Sequence, residues 1–313
     1  MLDEKKCETV ANYLLRRGRP LDIVRYRFHN GETSGRHVLQ YLKSFQNEDG
    51  GYAHGLESDI QMPVSSPLVT WAATRILRKV IESPVTEIQV KMLFDYLRDT
   101  SEFVNGRWRA SIPAMNDYPH APWWTFDEET EEQTWRYNPT AELAGFILRF
   151  KSPSSNQTAN NLYTRAENII RAMIPVITAD DYDLTGHELS NFTTLYKDLL
   201  IAGRLDLLPH DFGDFLQTKV KQALTNDLAD YRAGEYGNVP SMFIMSKDNP
   251  YYQENKDVAE DYADFLEETL MKEGYWNPNW TWGQEELPPD VLDDWRSSLT
   301  VENMIYLKGL KRA

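Results

Sequence analysis

Apolar positions along most of this chain recur with the period of a helix rather than that of a strand. Val258, Tyr262, Phe265, Leu266 and Leu270 fall on one helical face, and Ile88, Leu93, Phe94 and Leu97 do much the same. Each of these runs leads into a glycine followed closely by an aromatic residue, as Gly274-Tyr275-Trp276 and Gly106-Arg107-Trp108. Gly50-Gly51-Tyr52 and Gly234-Glu235-Tyr236 repeat the pattern. The predicted unit is helix, glycine turn, aromatic, helix. Ser66-Pro67 and Asn138-Pro139 place a capping side chain before a proline suited to the first helical position, which predicts helices over 66–82 and 138–150. Further amphipathic segments lie at 36–46, 161–174, 188–202, 212–231 and 297–310. No alternating strand pattern stands out, so the class is all-α. The glycine turns are unevenly spaced, a degenerate repeat that suits a closed ring of helical hairpins better than an open solenoid of identical units. Ser and Asn cluster at 151–161, the expected site of a loose surface connection.

The 313 residues fit one domain over 1–313, since a ring of hairpins absorbs that length around a single core. With 41% hydrophobic and 26% charged residues the chain has enough apolar surface to fold. A formal charge of -15 repels phosphate backbones and anionic bilayers, so neither nucleic acid nor a membrane is an expected partner. Cys7 is the single cysteine, which excludes an internal disulfide and a multi-cysteine zinc site. Residues 1–9 are charged and read as a mobile terminus without a signal peptide, and no apolar run is long enough to span a membrane. A cytoplasmic location is the expectation.

The stretch Tyr41-Leu42-Lys43-Ser44-Phe45-Gln46-Asn47-Glu48-Asp49-Gly50-Gly51-Tyr52 resembles the Gln-x-x-x-Gly-x-aromatic repeat of terpenoid cyclases and protein prenyltransferase β-subunits, and 265–276 repeats it weakly. That resemblance implies an α/α toroid with glycine-aromatic turns. A further resemblance, to a bacterial family within that superfamily, is carried by Gly55-Leu56-Glu57-Ser58-Asp59, His120-Ala121-Pro122-Trp123-Trp124, Asn138-Pro139-Thr140-Ala141-Glu142 and the 280–302 region, and implies no particular reaction. The chain departs from the known toroid chemistries. Asp180-Asp181-Tyr182-Asp183 is not the Asp-x-Asp-Asp acid of a class II cyclase, no Asp-Asp-x-x-Asp magnesium cluster is present, and Cys7 and His187-Glu188 do not make a zinc site. No metal and no cofactor are expected.

Candidate chemistry falls in three places. His54, Glu57 and Asp59 follow the first glycine turn, where one carboxyl could act as a general acid or the loop could merely bind helix ends. Trp123 and Trp124 sit in a proline-bounded loop without helical period, a stacking floor for a ligand or a loop pinned by its own tryptophans. Trp135 reads as structural, and the run Glu128, Glu129, Glu131 and Glu132 as a solvated face. Asn138 and Glu142 are four apart on one helix face, and Glu142 is either an acid in a pocket or a charge stabilising a helix N-terminus. The third place holds Trp280, Trp282 and Trp295 with Asn277 and Asn279; flat faces beside amides suit a polyhydroxylated ligand. Asp293 and Arg296 read as a cap and an ion pair, the 180–183 acids as a turn before a helix, and Tyr236 with 240–245 as core.

Three function classes stay open: a small-molecule enzyme related in fold to terpenoid cyclases, with Glu57, Asp59 or Glu142 as proton donor; a carbohydrate-active enzyme; and a toroid that binds a ligand without catalysis. The expected ligand is a small molecule or carbohydrate held by His54, Trp123, Trp124, Asn138, Trp280, Trp282 and Trp295.

Overall fold

The computed structural model describes residues 1–80, 85–150 and 157–313. Among these, helix accounts for 61% and strand for 3%. In chain order the helices are α1 (Glu4–Arg17), α2 (Pro20–His29), α3 (Gly35–Leu42), α4 (Pro67–Val80), α5 (Val85–Asp99), α6 (Glu131–Trp135), α7 (Thr140–Arg149), α8 (Gln157–Ile177), α9 (Gly186–Ala202), α10 (Phe212–Arg232), α11 (Lys256–Thr269) and α12 (Pro289–Gly309). Strands β1 (Phe103–Val104) and β2 (Arg107–Trp108) form one hairpin. Packing divides the chain into two compact units, one of Met1–Tyr41 with Gln217–Ala313 and one of Leu42–Leu216. In the second unit α7 is buried along 140–148 and packs against α4, α8 and α9. In the first, α12 packs against α1, α2 and α11.

The glycine turns share one construction. Asn47 N–H donates to the Gly51 carbonyl at 2.9 Å and Gly50 N–H to the Asn47 carbonyl at 3.0 Å; Met271 to Tyr275 and Gly274 to Met271 repeat this at 3.0 and 2.9 Å. Gly50 and Gly274 have φ of 91° and 93°, in the left-handed region where glycine carries no Cβ penalty. A Cβ at Gly50 would lie 2.0 Å from the Met92 carbonyl oxygen, and one at Gly274 2.5 Å from that of Thr9, so both turns press against the backbone of a neighbouring helix.

Two residues after each glycine, the aromatic backbone N–H donates to a threonine hydroxyl on the next buried helix: Tyr52 to Thr70 at 3.0 Å, Trp108 to Thr140 at 2.9 Å, and Trp276 to Thr300 at 3.3 Å. The indole N–H reaches back to the preceding helix, from Trp108 to the Leu97 carbonyl and from Trp276 to that of Leu266, both at 2.9 Å. Aromatic and threonine thus tie each helix to its successor. The threonine follows the aromatic after 18, 32 and 24 residues, and insertions in those connections make the sequence period irregular. Gly234 has φ of 92°, but Tyr236 is 61% exposed, so the fourth turn does not belong to the set and Tyr236 is not core. Phe243 and Ile244 are.

Other differences have local causes. Residues 1–9 are not a loose end: Asp3 accepts from Lys6 N–H at 2.8 Å and starts α1. Ser66 accepts from Val69 N–H and starts α4 as expected, whereas α7 begins at Thr140 with Pro139 at its N-cap, so Asn138 is not the cap. Glu131 is 3% exposed rather than solvated, because Arg107 pairs with it and Ala110 N–H donates to it at 3.0 Å. Asn105-Gly106, both at positive φ, close a hairpin too short to show alternation. Helix α12 begins eight residues before its expected start, at Pro289. The acids at 180–183 precede α9 in a turn, with Thr185 and Glu188 forming a capping box. Of the loose connection expected over 151–161, positions 151–156 lie outside the described residues and 157–161 instead form the first turn of α8, which starts at Gln157; positions 81 and 82 of the first expected helix also lie outside the described residues.

Thr140 both accepts from Trp108 N–H and donates to the Trp108 carbonyl, at 2.9 and 3.0 Å, in a fully buried setting. Thr140→Val keeps the shape and orphans two buried backbone groups, so urea unfolding should show a loss of about 1–3 kcal/mol. A loss under about 0.5 kcal/mol would mean the clamp is not holding the turn.

Candidate functional site

In the unit 42–216 one group of buried charges lies where α4, α7 and α9 meet. Arg78 Nε and Nη2 donate to Asp198 Oδ2 at 2.9 and 2.8 Å, and Nη1 donates to Glu142 Oε1 at 2.9 Å and Thr74 Oγ1 at 2.7 Å. Arg149 donates to the other Asp198 oxygen at 3.0 Å. Trp71 Nε1–H donates to Glu142 Oε2 at 2.6 Å. Glu142 and Asp198 are 2% and 0% exposed. The arrangement gives both Glu142 oxygens N–H donors and makes this residue a brace between α4 and α7. Trp71, Thr74 and Arg78 lie three to four apart, so the face was visible in the sequence although its arginine was not singled out.

The same pattern recurs in the other unit. Glu302, like Glu142, stands two residues after the clamp threonine and pairs with an arginine, here Arg25. Arg25 also donates to Asp22 at 2.9 Å, and Arg19 to Asp22 at 2.7 Å. Burial would raise the pKa of Asp22, but Arg19 and Arg25 outweigh it and hold this carboxyl below its usual range. Thr-x-Glu at 140–142 and 300–302 is the signal that marks both places.

The first glycine turn brings two of the sequence candidates together. Ala121 N–H donates to the Asp59 carbonyl and Gln61 N–H to that of Pro119, both at 2.9 Å, which joins the 57–61 turn to the tryptophan loop. Asp59 is buried, Glu57 half-buried, and His54 exposed with its Nε2 2.8 Å from Asn47 Oδ1. Trp124 is 8% exposed and stacks on Trp135 at 4.3 Å, so Trp124 pins its loop, while Trp123 is 39% exposed. Asn138 is buried and its side-chain oxygen accepts from Asn191 at 3.2 Å.

Trp280, Trp282 and Trp295 belong to the other unit. Trp280 packs edge-on against Trp295 at 4.9 Å and against Tyr236 at 6.0 Å. Around them, Arg296 lies over the Tyr275 ring at 4.8 Å and donates to Asn277 at 2.8 Å, and Tyr13 packs on Tyr275 at 4.8 Å. Asp293 pairs with Arg296 at 3.6 Å as expected, but from inside α12 rather than as its cap. The residue missed in the sequence is Asp294. Burial pushes its pKa up to about 6, Arg19 opposes this, and Asp22, Asp290 and Asp293 add to the rise. Its carboxyl stands 3.9 Å from Arg19 Nη1 with the side chain 29% exposed, beside Trp295 in the chain. Nothing in local sequence separates Asp294 from Asp293, since Arg19 arrives from a distant segment.

Among the described residues no three His, Cys, Asp or Glu side chains are grouped so as to hold a metal ion, and no helix is long and apolar enough to cross a membrane. No protein-family model, curated protein or solved structure matches the chain.

Two measurements test these placements. Asp198→Asn strips a shared carboxylate from two guanidinium groups, and should cost about 3–5 kcal/mol in urea unfolding; a neutral result would remove the brace. The folded state holds the Asp294 proton more tightly than the unfolded chain does, so this group contributes most stability below its ordinary value of 3.8 and loses it as pH rises through about 6. Asp294→Asn should flatten stability between pH 4 and 6, and an unchanged slope would refute the raised value.

Proposed function

We propose that this chain is an enzyme acting on a small molecule, built on the α/α toroid of the terpenoid cyclases and prenyltransferases, with Asp294 as its carboxylic general acid. The shared construction of the turns at Gly50, Gly106 and Gly274 supports the toroid, because a repeated helix, turn and helix joined by one clamp is the unit from which such a ring is made. The observation that carries the chemistry is a partly exposed carboxyl with a pKa of about 6, next to Trp295 and facing Arg19. A group with that affinity is protonated often enough near neutrality to donate, and its conjugate base can take the proton back. Arg19 would hold the carboxylate left after donation. Glu142, with N–H donors on both oxygens, is less suited to the role; Glu57 and Asp59 would then shape the loop carrying Trp123.

A carbohydrate substrate is the second reading, favoured by one specific feature. Asn279 Oδ1 and Trp280 Nε1, on residues adjacent in the chain, are buried without a hydrogen-bond partner among the described residues. A hydroxyl is the group that accepts from an N–H while donating to a carbonyl, and tryptophan faces beside it suit a sugar ring.

Titration of tryptophan fluorescence with maltooligosaccharides and with farnesol separates the readings. The binding class should quench wild type and lose most of its effect in Trp295→Leu, and any turnover then found should fall as pH rises above about 6 and vanish in Asp294→Asn. Quenching by neither probe would favour a non-catalytic toroid, and turnover that survives Asp294→Asn would take the acid role from this residue.

A further inference from the structure

Two asparagines of the unit 42–216 meet where the chain enters α7 beside the second turn of α9. Asn191, 1% exposed, donates from Nδ2 to the His187 carbonyl at 2.9 Å and to Asn138 Oδ1 at 3.2 Å. These bonds fix how both amides are turned. A backbone carbonyl only accepts, so the Asn191 atom beside it is the nitrogen, and the Asn138 atom that this nitrogen meets is then the oxygen. The other edge of the pair is left open. Asn191 Oδ1 is buried and accepts from no described residue. Asn138 Nδ2 donates to none, and it is not sealed from solvent as that oxygen is. A buried amide oxygen without a donor costs stability, and leucine would fill the same space without that cost. An acceptor kept here therefore implies a donor from outside the chain.

The open edge offers one acceptor and one donor. A hydroxyl satisfies both with a single atom, giving its hydrogen to Asn191 Oδ1 and accepting from Asn138 Nδ2. Water has the same oxygen chemistry but a second hydrogen, for which the pair holds no further acceptor; an alcohol has carbon in that place. An apolar surface for that carbon lies close by. Glu142, four residues after Asn138, accepts from Trp71 Nε1 at 2.6 Å, which holds a half-buried indole beside the start of α7. On the other side Trp135, whose carbonyl accepts from Asn138 N–H at 2.8 Å, stacks on Trp124 at 4.3 Å. Trp124 Nε1 is a further buried N–H without a described partner. Two donors and one acceptor thus go unfilled on residues tied to this turn, a set that hydroxyl oxygens complete.

We propose that the open edge of the Asn138–Asn191 pair binds a hydroxyl of a small polyhydroxylated molecule, with the Trp71 ring against its carbon skeleton. The site lies wholly in the unit 42–216 and rests on neither Asp294 nor Trp280, so either assignment can fail alone.

The side-chain amide resonances of Asn138 and Asn191 in nitrogen-labelled protein report on this edge alone. Titration with maltotriose and with myo-inositol should shift them, saturably for at least one of the two. Asn138→Asp keeps the oxygen that Asn191 bonds to and removes the free donor, so the probe that binds should be held about tenfold or more weakly. Asn161→Asp, the same change at an exposed asparagine of α8, should bind as wild type does. The wild-type resonances decide the matter without a variant if Asn138→Asp does not fold. Acetamide tests the other group that both donates and accepts: a saturable shift with acetamide and with neither polyol would overturn the hydroxyl assignment. No shift with any probe would overturn the proposal, and magnetisation transfer from a held water to the Asn138 amide would then identify what fills the edge. Full binding by a folded Asn138→Asp would overturn it as well.

Discussion

A chain that reverses direction at a glycine leaves a backbone N–H pointing into the protein, and a buried N–H without a partner costs on the order of 1–3 kcal/mol. Three times this chain meets that demand with a threonine hydroxyl on the helix that follows: Thr70, Thr140 and Thr300. The bond settles more than its own energy. It fixes how far the next helix is advanced relative to the turn, and with it which side chains two and four positions later look inward. Glu142 and Glu302 each stand two residues beyond a clamp threonine, and each meets an arginine from an earlier buried helix, Arg78 or Arg25.

Those arginines answer a second constraint. A carboxylate buried as deeply as Asp198 or Asp22 is tolerated only with charge-assisted hydrogen bonds on its oxygens. Arginine suits the position better than lysine because one planar group can bond to several acceptors at once. Arg78 joins Thr74, Glu142 and Asp198, and so ties α4 to both α7 and α9. Removal of one member leaves the others charged and buried, so the network stands or falls as a unit.

The helical class and the local unit of helix, turn, aromatic and helix were legible because they rest on period and on glycine, both properties of neighbouring residues. The start of α4 was legible for the same reason, since Ser66 caps within three residues of itself. Asn138 was misread because its partner, Asn191, comes from a different helix. Glu131 was misread as solvated because Arg107, which buries it, lies across a hairpin too short to announce itself. The candidate tryptophans divided on similar grounds: Trp124 spends its face on Trp135, whereas Trp123 keeps part of its surface. Local chemistry reads from sequence, and partners that arrive from another helix do not.

The contrast between Glu142 and Asp294 shows why the proposed acid was the hardest residue to find. Both are carboxyl groups in the first two turns of a buried helix that follows a glycine turn. Glu142 meets Arg78 on one oxygen and an indole N–H on the other, which favours an accepting role. Asp294 meets one arginine at 3.9 Å, too far for a direct hydrogen bond, and three further carboxylates act on it. Attraction is therefore weaker and repulsion stronger at Asp294, while burial acts on it without full compensation. The difference lies in distance and number of neighbouring charges rather than in residue type, and those are set by how α2 and α12 pack. An acid that must hold a proton near neutrality needs this kind of incomplete pairing, since a fully paired carboxylate has no reason to bind one.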